Sequence, residues 1–132
     1  MKKDTKMRFP TSFGVFSPTG HVVMVFASDG DAERARQLLI NSGFSQEDVT
    51  HYSRDEVMAE LEKSEEQSAN PAQIGQEVAK VDEYLGLAKQ GSGFLVLHAP
   101  EDDAAKRAVS LVKPLGLKFA EKYNRLTIEE LA

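Results

Sequence analysis

Two stretches of this chain share one pattern of apolar and polar positions. The first opens with the unbroken apolar run Val22–Phe26, continues through Ser28-Asp29-Gly30-Asp31, and places Ala32, Ala35, Leu38 and Leu39 at helical spacing before Gly43. A run of β-favouring residues predicts a strand covered on at least one face. The apolar spacing that follows, with Glu33, Arg34, Arg36 and Gln37 on the wet side, predicts an amphipathic helix. Ser28 or Asp29 is its expected cap, and acids in the first turn suit the helix dipole. Gly43 is the expected left-handed stop, after which Phe44 folds back onto the last turn. A short strand, Val49–Tyr52, follows.

The second stretch repeats this order from Phe94. A strand, Phe94–His98, leads through Ala99-Pro100-Glu101-Asp102 into a helix whose buried face is Ala105, Ala108, Val109, Leu111 and Val112. Pro114 ends that helix, and Gly116 matches Gly43. With the copies aligned, Ala32, Arg34, Ala35, Leu38 and Gly43 coincide with Ala105, Arg107, Ala108, Leu111 and Gly116. Val22 and Val23 coincide with Leu95 and Val96. A last strand, Leu117–Tyr123, completes the second unit. Two βαβ units predict an α+β fold: a ferredoxin-like duplicated sandwich, with a four-stranded antiparallel sheet and two helices on one face.

The remaining segments are placed around that duplication. Residues 1–12 are expected to form a flexible arm and residues 13–132 a single domain. Phe13–Phe16 reads as an edge strand, paired with His21–Phe26 through the turn Ser17-Pro18-Thr19-Gly20. The span 53–90 is a helical insert between the two halves. It opens on Ser53-Arg54-Asp55-Glu56, the form of a capping box, with Val57, Met58 and Leu61 as an apolar stripe. After the polar stretch Glu62–Ala69, Asn70-Pro71-Ala72-Gln73 restarts a helix that aligns Ile74, Val78, Val81, Leu85 and Ala88. Gly91-Ser92-Gly93 ends it. Thr127-Ile128-Glu129-Glu130 reads as the cap of a short tail helix. Two helices leave one sheet face bare, so either the insert or a second subunit must cover it, and a homodimer is expected.

Composition narrows the function classes. With 132 residues the chain is one domain, long enough to bury a core unaided. Its net charge of −5 argues against general affinity for nucleic acid or anionic lipid. It has no cysteine, which excludes disulfides, thiolate metal sites and cysteine nucleophiles. The basic residues Lys2, Lys3, Lys6 and Arg8 have no apolar segment behind them, so they do not read as a signal peptide. No apolar run approaches the ~20 residues that span a bilayer. A cytoplasmic location is expected.

The order Val22–Phe26, Ala32-Glu33-Arg34-Ala35, Leu38-Leu39, Gly43-Phe44 and Ser45-Gln46-Glu47-Asp48-Val49 resembles the bacterial heat-induced, general-stress (YflT-like) family of small α+β domains. Phe94–Leu97, Ala105–Val112 and Gly116-Leu117 carry the same resemblance in the second half. The resemblance implies stress association. It implies no catalytic residues and no agreed ligand.

Candidate chemistry centres on His21, His51 and His98. His51 and His98 fall on strands expected to be neighbours, with Tyr52 beside His51, so His51, Tyr52 and His98 form the candidate ligand-binding set for a small molecule. His51 and Tyr52 nevertheless point to opposite faces of one strand. No His-x-His or His-Glu-x-x-His spacing supports a metal site. The acidic groups Ser28-Asp29-Gly30-Asp31 and Glu101-Asp102-Asp103 lack the ligand series of a calcium loop and read as helix starts. Gly91-Ser92-Gly93 precedes a strand, the wrong context for a phosphate cradle, so no cofactor is expected. Three readings follow: a non-catalytic interaction or regulatory domain, a small-molecule-binding domain near His51 and His98, or a small cofactor-free enzyme of the dimeric α+β-barrel kind.

Overall fold

A computed structural model describes residues 11–12, 15–16, 20–59, 76–124 and 127–132. In chain order the elements are β1 (Thr11–Ser12), β2 (Val15–Phe16), β3 (His21–Phe26), α1 (Asp29–Asn41), a 3-10 turn at Gln46–Asp48, β4 (Val49–Tyr52) and α2 (54–59). Then come α3 (Gln76–Lys89), β5 (Gly93–His98), α4 (Asp102–Val112), β6 (Leu117–Tyr123) and β7 (Ile128–Glu130). The class is α+β. Five strands form one open antiparallel sheet in the order β4-β5-β3-β6-β7. The two apolar runs of the duplicated pattern, β3 and β5, lie side by side at its centre.

The local signals act as the sequence predicts. Ser28 caps α1, its Oγ accepting from Asp31 N at 3.2 Å. At the other end Gly43 takes a φ of +111°, and Phe44 N donates back to Leu39 O at 3.0 Å. Gly116 repeats the left-handed φ at +84° and accepts from Ala27 N, tying the turn between α4 and β6 to the start of α1. Ser53 and Glu56 form the reciprocal capping box of α2: Glu56 N donates to Ser53 Oγ at 3.2 Å and Ser53 N to Glu56 Oε1 at 2.9 Å. The start of α4 differs from that of α1, because its cap residue Glu101 makes no side-chain capping bond.

Both faces of the sheet are packed. On one, Ala32, Ala35 and Leu39 of α1 and Ala105, Ala108, Val109 and Val112 of α4 meet Val22, Met24, Phe26, Leu95 and Leu97. On the other, Val57 of α2 and Tyr84, Leu85 and Ala88 of α3 meet Val23, Val25, Tyr52, Phe94, Val96 and Tyr123. The insert therefore covers the face that two helices alone leave bare. This explains the unbroken apolar run of β3, since every residue from Val22 to Phe26 is fully buried. Each such side chain contributes on the order of 1.5–3 kcal/mol through burial.

Three expectations change. The sheet has five strands rather than four, because Ile128–Glu130 pairs with β6 instead of forming a tail helix. Asn124 N donates to Thr127 O at 2.8 Å and closes the turn, while Leu131 N bonds Ala120 O beyond it. Pairing along the free edge of β6 outweighs a capping pattern that has no long apolar face behind it. Val15–Phe16 pairs with Thr11–Ser12 in a separate two-stranded sheet, not with β3. Both edges of β3 are taken by β5 and β6, so no ladder position is left for a hairpin partner. Thr11–Ser12, placed in the arm by the sequence, are thus strand residues. The restart at Asn70-Pro71, the stretch Glu62–Ala69, Ile74 and most of the turn Ser17–Gly20 lie outside the described residues.

The duplicated positions do not duplicate roles. Arg34 pairs with Asp31 on its own helix. Its counterpart Arg107 reaches from α4 to α1, with its guanidinium 4.6 Å from the Phe44 ring centroid and Nη1 bonded to Ser42 O.

Candidate functional site

Three polar clusters stand out against this apolar frame. The first surrounds His51. Alternation along β4 turns His51 toward the α1 side of the sheet, where Asp29 and Glu33 sit one helical turn apart. His51 Nδ1 lies 3.1 Å from Glu33 Oε1 and Nε2 lies 3.5 Å from Asp29 Oδ1. Asp29 Oδ1 and His51 Nε2 are buried, face each other and have no hydrogen-bond partner among the described residues. The second oxygen of Glu33 accepts from Arg36 and Gln37 at 3.0 and 3.1 Å. Burial raises the Glu33 pKa, but hydrogen bonds from Gln37 and His51 and the Arg36 charge outweigh it, leaving the carboxyl below its ordinary value. Chemically, this is an imidazole held between two acids, a latch between β4 and α1.

The second cluster lies on the opposite face of the sheet. Alternation aligns Phe119, Glu121 and Tyr123 on that side of β6, beneath Tyr84 of α3. Tyr84 Oη donates to Glu121 Oε1 at 2.6 Å and lies 2.8 Å from Tyr123 Oη. A hydroxyl has one proton, so with Tyr84 donating to Glu121 the remaining bond runs from Tyr123 to Tyr84. Burial pushes the Tyr84 phenol far above its ordinary pKa, reinforced by Tyr123 and Glu121; burial and the Glu121 charge raise Tyr123 as well. Both phenols are held protonated. The Tyr84 ring also meets Phe94 edge-on at 6.0 Å and stacks on Phe119 at 6.2 Å.

The third cluster is His21, His98 and Asp48. His21 pairs directly with His98 across the β3–β5 ladder, with ring centroids 5.0 Å apart. His98 Nδ1 is 3.8 Å from Asp48 Oδ1.

The structure does not bring His51, Tyr52 and His98 into one pocket. His51 faces α1, whereas Tyr52 is buried on the α3 side beside its cross-strand partner Phe94. His98 is four positions further along β5 than Phe94, on the order of 13 Å away, and half-exposed. Tyr84 and Glu121 were missed as site residues, although a signal existed. Tyr84 lies at i−4 from Ala88, on the apolar stripe of α3, and Glu121 lies between Phe119 and Tyr123 in the alternation of β6.

Lys122, buried on β6, donates from Nζ to Asp102 Oδ1 and Asn124 Oδ1, each at 3.0 Å. The Lys122 hydrogen bond and charge hold the Asp102 carboxyl below its ordinary value. Glu33 and Asp102 thus both have folded-state pKa values below their unfolded ones. Their stabilisation is present above the ordinary carboxylate range near pH ~4 and is lost as pH falls through the lower folded value. In urea titrations at a series of pH values, the acid-side fall in midpoint is expected to be shallower in Glu33→Gln and in Asp102→Asn than in the parent. An unchanged fall in both variants contradicts the assignment.

Fold and clusters together define an α+β protein with a five-stranded antiparallel sheet and helices on both faces. Compared with protein-family models, curated proteins and solved structures, the chain matches none. Among the described residues no helix is long and apolar enough to cross a membrane.

Proposed function

We propose that this chain is a non-catalytic interaction or regulatory domain on a ferredoxin-like core, stress-associated as its resemblance to the general-stress family implies. Support for the core comes from the order β4-β5-β3-β6 with α1 and α4 on one face, the arrangement expected of two βαβ units side by side. On this reading β7 and the helical insert are additions to it.

The observation that carries the function is the filled second face. Tyr84, Leu85, Ala88 and Val57 occupy the space over Val23, Val25 and Phe94. A cofactor-free enzyme of the dimeric α+β-barrel kind needs a cavity there, and the Tyr84, Phe94 and Phe119 rings take that volume. With both faces packed from within, the outer helix surfaces and the outer edges of β4 and β7, which pair with no other strand among the described residues, are where this reading puts a partner. A second copy meeting at such an edge is the partner this reading favours.

Two measurements test it. Sedimentation over a concentration series is expected to show a reversible dimer; a strict monomer at the highest soluble concentration removes the dimer from the proposal. A thermal-shift panel of nucleotides and amino acids is expected to leave the melting temperature unchanged. Saturable stabilisation by any of them favours the small-molecule-binding reading instead.

A further inference from the structure

We propose that His21 and His98 form a two-imidazole site for a borderline divalent transition-metal cation, the class of Zn2+ and Ni2+. This goes beyond the interaction reading and does not depend on it. The β3–β5 register sets the two residues directly opposite each other, so both side chains leave the same face of the sheet. Their rings stand 5.0 Å apart between centroids and are tilted by 53°. Both belong to the two central strands, whose backbones are fixed by the packed core on each side. The ordering left for an ion to impose is therefore that of the two side chains and not of the backbone.

The surroundings suit a cation. His98 has half of its side chain exposed, which gives the ion a route in. Asp48 Oδ1 faces His98 Nδ1 at 3.8 Å. At that distance the carboxylate makes no hydrogen bond to the ring, but its negative charge lies close enough to favour a cation held at His98. Each imidazole has two nitrogens, so a hydrogen bond at one leaves the other for coordination. Nitrogen pairs of this kind select borderline ions over magnesium or calcium. Among the described residues no set of three His, Cys, Asp or Glu side chains converges as a cage. Among the described residues the site is therefore a two-nitrogen clip, and two imidazoles alone give a modest affinity.

Calorimetric titration of the full chain with Zn2+ or Ni2+ tests this. One saturable equivalent is expected. His21→Asn and His98→Asn are each expected to weaken binding by about tenfold or more, and Asp48→Asn by a smaller factor. His51→Asn changes the third and last histidine of the chain and is expected to bind as the parent does. In the unaltered protein, sub-stoichiometric Ni2+ is expected to broaden the ring-proton resonances of His21 and His98 before those of His51. This measurement does not require any variant to fold. No saturable binding, binding that survives the double substitution His21→Asn/His98→Asn, or first broadening at His51 overturns the proposal.

Discussion

Gly93→Ala is expected to lower the unfolding free energy by about 3 kcal/mol or more, the upper end of what one added methyl costs in a packed interior. A Cβ at position 93 would lie 2.5 Å from Ser28 O, 2.8 Å from Asp29 Cα and 2.9 Å from Ala32 Cβ. None of these atoms can rotate away, because they are backbone or directly attached to it. The first turn of α1 would have to move off β5 as a body. That movement would loosen the contacts of Ala32 and Ala35 and widen the already long His51–Asp29 approach. The control is Gly86→Ala in α3. A Cβ there meets nothing within 4 Å, so the same substitution is expected to stabilise by about 0.5–1 kcal/mol through helix propensity. Equilibrium urea unfolding reads both. Equal effects at the two positions would refute the claim that α1 sits on the Gly93 backbone.

Tyr84→Phe is the second large effect, expected at about 2–3 kcal/mol. The ring and its packing against Phe94 and Phe119 are retained, so the change isolates the hydroxyl. What is lost is the 2.6 Å donor to Glu121, buried at 8% exposure, and the link to Tyr123. Removing one partner from a buried polar network leaves the others' desolvation less fully compensated, which costs more than a hydrogen bond adds on average. A double-mutant cycle with Glu121→Gln is expected to give a coupling of about 1–2 kcal/mol. Hydrogen exchange is expected to localise the loss to α3, whose docking on the sheet the network secures. A Tyr84→Phe protein as stable as the parent would mean that the hydroxyl adds nothing to holding the insert in place.

These two expectations separate the kinds of information in the chain. Tyr84 and Glu121 lie on apolar faces whose periods can be read directly, 3.6 for α3 and 2 for β6, so their burial was legible even though their meeting was not. Gly93 reads locally as part of a helix-ending Gly-x-Gly. Its true constraint is the approach of α1, from a segment more than fifty residues earlier in the chain.

The sequence alone determined the two central strands, the helices α1 and α4, a cap at Ser28 or Asp29, the Ser53 cap, and the left-handed stops at Gly43 and Gly116. Each depends on contacts within a few residues, where spacing, capping and a permitted φ decide the outcome. Only the tertiary structure decided that residues 128–130 pair as a strand, that Val15–Phe16 finds Thr11–Ser12, and that the insert closes the second face. It also decided that His51 and Tyr52 part to opposite sides while His21 and His98 meet. Those outcomes turn on which edge is free and which face is bare once the rest of the sheet has assembled, a competition among distant segments that local pattern does not encode.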